Sequence, residues 1–233
     1  MKKLLSVVVL CVCVVSAHAT NLADDFRDHY DPSTSNLAAY NRDLNSLIGV
    51  ADFHTGRAQN FPSISIGGSV GVFKPSSDNN ISSDNYVILP FLVAETKIPV
   101  LNVGVVARGT SMYGYRSIGG GLTYQMNVLE MVNLSFGAFY DNGRTDWYTS
   151  DHYSASAIAS MTFLALTPYV GVGYDYGTLE TRGFGSNNRD TSNGQGRAMV
   201  GLKIHPFPLF SGFVAYTVTK NSHGFTGGLG LSF

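Results

Sequence analysis

From residue 63 onward, apolar and polar positions alternate with a period of two, the period of a β-strand. "SISIGGSVGVF" sets Ile64, Ile66, Val70 and Val72 against Ser63, Ser65, Gly67, Ser69 and Gly71. "VNLSFGAFY", "LTPYVGVGYDY", "AMVGLKIH" and the closing "GFTGGLGLSF" repeat the pattern. It predicts ten strands, at residues 63–73, 86–96, 101–113, 115–126, 131–141, 152–163, 166–176, 197–206, 209–218 and 224–233. Most are close to the 9–11 residues with which a tilted strand crosses a bilayer. "YVILPFLVAE" and "LFSGFVAYTV" alternate poorly, and Pro90 in the former suits a bulge or a place near a ladder's end.

The connections sort by length. Odd-numbered ones include "KPSSDNNISSDN", "NGRTDWYTSD" and "GTLETRGFGSNNRDTSNGQG"; even-numbered ones are short, "KIPV", "NVLE", "LA" and "PFP". Long loops at one end and short turns at the other are the asymmetry of a transmembrane barrel, with the short turns in the periplasm. The fold class expected is therefore all-β: a transmembrane, antiparallel, up-and-down barrel of about ten strands over residues 62–233. An even strand count places both termini in the periplasm.

Residues 20–61 read differently. In "STSNLAAYNRDLNSLIG", Leu37, Tyr40, Leu44, Leu47 and Ile48 fall at helical spacing, with Ser35 a candidate N-cap and Gly49 a candidate C-cap. This segment predicts one short helix, lying on the periplasmic rim or plugging the lumen.

Tyr86, Tyr113, Tyr115, Tyr140, Tyr153, Tyr174, Tyr176 and Tyr216 all fall near the long-loop ends of their strands. Amphipathic rings at that level form an aromatic girdle. In the last ten residues, Phe225, Leu229, Leu231 and Phe233 alternate up to the final position, with Gly227 the weak member. They resemble the C-terminal assembly signal of bacterial outer-membrane β-barrels. That resemblance implies insertion by the barrel-assembly machinery and closure of the last strand on the first.

At the other end, "MKKLLSVVVLCVCVVSAHAT" combines a charged start, a short apolar run and Ala17-His18-Ala19, as a secretory signal peptide over residues 1–19 does. Both cysteines, Cys11 and Cys13, lie within it, so the processed chain has no disulfide or thiolate chemistry. Loss of Lys2 and Lys3 leaves 13 Lys+Arg against 16 Asp+Glu, a net charge of −3, with no basic footprint for nucleic acid.

The face expected to look inward is small: Ser65, Gly67, Ser69, Gly104, Ser117, Gly119, Ser135, Gly137, Gly171, Gly173, Gly201 and Gly228. Ten strands stand between filled eight-stranded barrels and channel-forming larger ones. The larger polar residues on this face are Arg108, Gln125, Asp175, Lys203 and His205. Arg108 and Lys203 against Asp175 form either an internal ion pair or a set of pore-lining charges.

Chemistry beyond a pore has thin support. Asp151-His152 with Asp84 and Asp141 at the rim has a distant likeness to omptin-type proteases, whose strands extend further beyond the membrane. Ser150, His152 and Asp146 stand too close in sequence to make a triad, which is defined by geometry. The histidines have no metal-ligand spacing, and Asp78 and Asp84 in a polar loop read as surface residues. No cofactor and no enzyme activity are expected.

The expected function is a narrow passive outer-membrane pore for ions or small solutes, blocked or gated by residues 20–61. The alternative is a non-conducting barrel displaying its long loops for adhesion or binding. Membrane lipid, the assembly machinery and a small solute are the expected partners.

Overall fold

The computed structural model describes residues 22–52, 64–82, 86–98, 101–129, 131–207 and 209–233. The expected signal peptide, Ser63 and Asp84 lie outside these residues. Two helices, α1 (Leu22–His29) and α2 (Leu37–Gly49), lead into a single 3-10 turn, Val50–Asp52. Ten strands follow: β1 (Ile64–Lys74), β2 (Val87–Ile98), β3 (Val103–Met112), β4 (Tyr115–Asn127), β5 (Val132–Arg144), β6 (Tyr148–Met161), β7 (Leu166–Thr181), β8 (Asp190–Phe207), β9 (Phe210–Thr219) and β10 (His223–Ser232).

Each strand pairs antiparallel with its chain neighbours, and β1 pairs with β10 to close the barrel. The seam runs from Ser65↔Ser232 to Lys74↔His223. Beyond it the Phe233 amide donates to the Ile64 carbonyl (2.9 Å), and the Ile64 amide returns a bond to Phe233 (3.1 Å). Closure leaves no unpaired edge, which is what a sheet needs in lipid. Pro90 lies above the first β2–β3 pair, Leu92↔Gly109, where its missing amide interrupts no rung of that ladder.

Alternation sorts the two faces. Ile66, Leu122, Phe136, Val170, Val172, Val200, Val214 and Phe225 are exposed on the outside. Ser117, Thr123, Ser135, Ser154, Thr217 and Thr226 are buried on the inside. An apolar exterior around a polar interior inverts the usual soluble arrangement and matches a lipid-facing wall.

Strands β5 to β8 are longer than the alternation of apolar residues predicts. β7 continues to Thr181 and β8 begins at Asp190. The added outward residues Thr178, Glu180, Asp190 and Ser192 are polar, so this part of the sheet rises past the apolar belt and reads as loop in sequence.

The N-terminal segment holds two helices, not one, and they sit at the mouth formed by the odd-numbered connections. The Ala23 amide reaches the Tyr113 carbonyl of the β3–β4 hairpin. Asn36 bonds Asn80 and Asp78 of the β1–β2 loop, and Arg189 before β8 donates to the Pro32 carbonyl. Phe233 lies at the opposite end from Leu22, the first described residue: an even strand count fixes where β1 and β10 end, not where the chain before β1 runs.

Candidate functional site

Helix α2 occupies the lumen. Eleven of its thirteen residues are buried, and the polar Asn41, Asp43, Asn45 and Ser46 are among them. Asn36, one residue after the expected Ser35, caps it by accepting the Ala39 amide. Ser35 instead accepts the Asp31 amide.

The helix descends along β8 in step with it. Asn41 donates to Asn193 (3.1 Å) and to the Gly177 carbonyl (2.9 Å). One turn lower, Gln195 bonds the Arg42 carbonyl (2.6 Å) and the Ser46 hydroxyl. Gly49, at the helix end, rests on Arg197 and Asp175. Four helical residues rise about 6 Å and two strand residues about 6.6 Å, so inward positions two apart on the strand meet successive helical turns.

The other side of α2 is apolar. Tyr40, Leu44, Leu47 and Ile48 join Phe73, Leu89 and Phe91 of β1 and β2 in one buried cluster. The inner wall is thus two-sided: apolar at β1–β2, polar at β7–β8. That is why "YVILPFLV" alternates poorly, since Val87, Leu89 and Phe91 face the helix while Leu92 faces outward. At the mouth, Phe26 packs on Tyr30, Tyr40 and Tyr148 with ring centroids 4.8–5.1 Å apart. The Tyr40 and Tyr148 hydroxyls are 2.9 Å apart.

Below the helix, five ionisable side chains form a continuous buried chain across β3, β5, β6, β7 and β8. Arg108 Nε donates to Asp141 Oδ1 at 2.8 Å, and its Nη2 bonds the second oxygen. His152 Nδ1 lies 3.2 Å from Asp141 Oδ2, and Nε2 2.9 Å from Asp175 Oδ1. Arg197 Nη1 donates to the same Asp175 oxygen, Oδ1. A ring protonated on both nitrogens satisfies both carboxylates; a neutral ring satisfies one. Arg108 reaches Asp141 over β4 because the residue between them in register is Gly119; a Cβ there would strike the Asp141 carboxylate. The Arg108 guanidinium also lies 4.6 Å from the Phe139 ring centroid.

Arg108 and Asp175 therefore lie in one network, but through Asp141 and His152, and the partner of Asp175 is Arg197 instead of Lys203. Arg197 stands two residues from Gln195, the register partner of Asp175. Lys203 is eight residues from Gln195 along β8, about 26 Å at strand rise. Asp141 and His152 are buried and face inward, while Asp151 faces outward and accepts from Tyr140 (2.6 Å) and Asn142 (2.9 Å). Ser150 is buried and Asp146 exposed. Of the omptin-like set, Asp141 and His152 meet inside the barrel, Asp151 points away from them, and Asp84 lies outside the described residues.

Of the tyrosines, Tyr140, Tyr153 and Tyr176 stand directly opposite one another on the outside of β5, β6 and β7. Tyr86 and Tyr174 are exposed too, and Tyr216 packs outside against Phe225 (4.8 Å). Tyr113 takes a positive φ of 53° at the β3–β4 turn. Tyr115 is corrected: it is fully buried within the lumen cluster, because it shares its strand face with Ser117 and Gly119. Leu229, Leu231, Phe225 and Phe233 are all exposed on the outer side.

No protein-family model matches the sequence, and no curated protein matches it. Solved structures do. The COG4313 outer membrane channel from Pseudomonas putida F1 shares 10% identity over 78% of this chain and 100% of that one, with a TM-score of 0.54. The N-terminal β-barrel domain of Pseudomonas aeruginosa OprF matches at 14% identity over 75% and 100%, with a TM-score of 0.41. Ail, the attachment invasion locus protein of Yersinia pestis, matches at 16% over 75% and 100%, at 0.36. The fold is that of outer-membrane β-barrels.

Proposed function

We propose that the protein is an outer-membrane channel for ions or small polar solutes, held closed by its own N-terminal helices. The observation that carries this reading is the polar wall behind α2. Gln195, Arg197, Asp175, His152 and Ser154, buried, and Asn193, half-buried against Asn41, line β6–β8, and without the helix they would border a hydrophilic passage. A lumen meant only to be filled is more economically packed with apolar side chains, since burying polar groups stabilises little even when they are paired. The long loops and α1 face outward from the cell, and Phe233 faces the periplasm.

A second reading has its own support. The aromatic cluster of Phe26, Tyr30, Tyr40 and Tyr148 anchors the helices firmly at the mouth, as suits a non-conducting barrel that displays its loops. The COG4313 structure is called a channel and Ail an attachment protein, so the fold accommodates both.

Single-channel recording in planar bilayers separates them. The intact protein is expected to be mostly closed, and deletion of residues 20–61 to produce steady conductance. A cysteine pair at Asn45 and Gly177, which touch, is expected to abolish residual openings until reduced. Silence from the folded deletion variant would overturn the channel reading in favour of display.

A further inference from the structure

The four short turns are apolar at their tips. Leu101, Leu129, Leu164 and Leu209 are 59%, 66%, 99% and 55% exposed, one from each even-numbered connection. Val128, Met131, Phe163, Phe207 and Phe233 stand exposed around them. Between the strand ends, Glu130 is the one charge in these turns by sequence, and Lys97 stands in β2 just before the first of them. At the opposite end Arg116, Arg144, Glu180, Arg182 and Asp190 are exposed.

Leu164 shows the cost of this arrangement. It occupies the first central position of the two-residue Phe163–Leu166 hairpin with φ 51°, where glycine or asparagine is the ordinary choice. A leucine held in a left-handed conformation and wholly uncovered is doubly unfavourable in water.

The outward apolar face leads directly into these residues. It runs eight residue steps on β6 (Tyr153 to Met161) and β10 (Phe225 to Phe233), and ten on β4 (Ile118 to Val128) and β7 (Leu166 to Tyr176). At about 3.3 Å per residue and a tilt of about 35–45° these span about 20 and about 25 Å, against roughly 25 Å for an outer-membrane apolar band. The turn tips stand at the lower edge of that face.

We propose that the short-turn end of the barrel is immersed in membrane lipid, with Leu101, Leu129, Leu164 and Leu209 as the lower edge of the lipid-facing belt. The occupant is lipid because the patch is continuous with the outer wall on every side of the barrel. This rests on the barrel spanning the membrane, and not on its conducting.

The test is tryptophan quenching in vesicles of phosphatidylcholine with brominated acyl chains. Trp147, the single tryptophan, lies at the other mouth and is replaced by phenylalanine. Tryptophan is then placed singly at 101, 129, 164 and 209, and at Val170 in mid-belt as reference. Each variant is scored once heat-modifiable gel mobility shows a folded barrel, so loss of one position leaves three. The turn positions are expected to be quenched at least half as strongly as position 170, and to resist aqueous iodide. Quenching at 170 with iodide-accessible turns would overturn the inference and leave the ring open to a protein partner. Absence of quenching at 170 would overturn membrane insertion, and this inference with it.

Discussion

Gly177 of β7 lies against Asn45 of the lumen helix so closely that a Cβ at 177 would coincide with the Asn45 side-chain amide. The Gly177 carbonyl also accepts from Asn41. One position on the wall thus supplies both space and a hydrogen bond to α2. Gly177→Leu is expected to displace the helix, with an overpacking cost of about 1–3 kcal/mol, while the barrel still closes. Limited proteolysis should then cut residues 22–49 in folded protein and channel openings should rise; a helix still protected would count against the contact.

Asp175 is wholly buried between Arg197 and His152. Asp175→Asn removes the carboxylate that the buried Arg197 and His152 share, and breaking the Arg197–Asp175 pair costs about 3–5 kcal/mol. The double change Asp175→Leu with Arg197→Leu removes both charges and should cost clearly less. Urea unfolding from vesicles ranks the two; equal losses would mean the ion pair is not what matters.

The Tyr40–Tyr148 pair separates hydrogen bonding from packing. Tyr148→Phe removes one buried hydroxyl contact and is expected to cost about 1 kcal/mol. Tyr148→Ala empties part of the cluster with Phe26 and should cost about 3–5 kcal/mol. Thermal melts of the plugged and helix-deleted forms should show the difference only when the helices are present.

Asp43 fastens α2 to the β1–β2 loop through three contacts of 2.8 Å from Ser76 and Asn79. Burial holds its carboxyl above the usual range, and the hydrogen bonds from Asn79 and Ser76 offset this only in part. A raised value in the folded state means its contribution is full below the unfolded carboxylate pKa of about 3.9 and is lost as pH rises through the elevated value. Asp78 acts in the opposite sense. The hydrogen bond from Arg42 lowers it, so its contribution is present above about 3.9 and lost as pH falls through the lower value. Protease protection of residues 75–82 should therefore weaken in the native protein as pH rises above about 4, and Asp43→Asn should flatten that change.

The strands were legible because lipid outside and polar atoms inside enforce strict alternation. Where both faces are apolar, as in Val87–Phe91, the pattern fails, since the inner face meets the helix. Helix α2 was legible from Leu37, Tyr40, Leu44 and Leu47, but not its place in the lumen, because Asn41, Asn45 and Ser46 look like a solvated face and are buried against a polar wall. Helix α1 was missed: "LADDFRDH" offers only Leu22 and Phe26 at helical spacing. The ionic chain was half legible. Counting parity from Tyr140 puts Asp141 inside, and counting from Ser117 puts Tyr115 inside. Arg197 gave no signal of its own, since it sits where a long polar run passes into strand.

Helices α1 and α2 precede β1 in the chain yet lie at the mouth far from Ile64, where β1 begins. A finished barrel would have to thread about thirty residues, already prone to helix formation, through its own lumen to reach that state. Joining β1 to β10 around a segment already in place avoids the passage. The seam from Ser65↔Ser232 to Lys74↔His223 is then the step that encloses α2, and a bulky folded tag placed before Leu22 would meet assembly as a problem of topology before it met function.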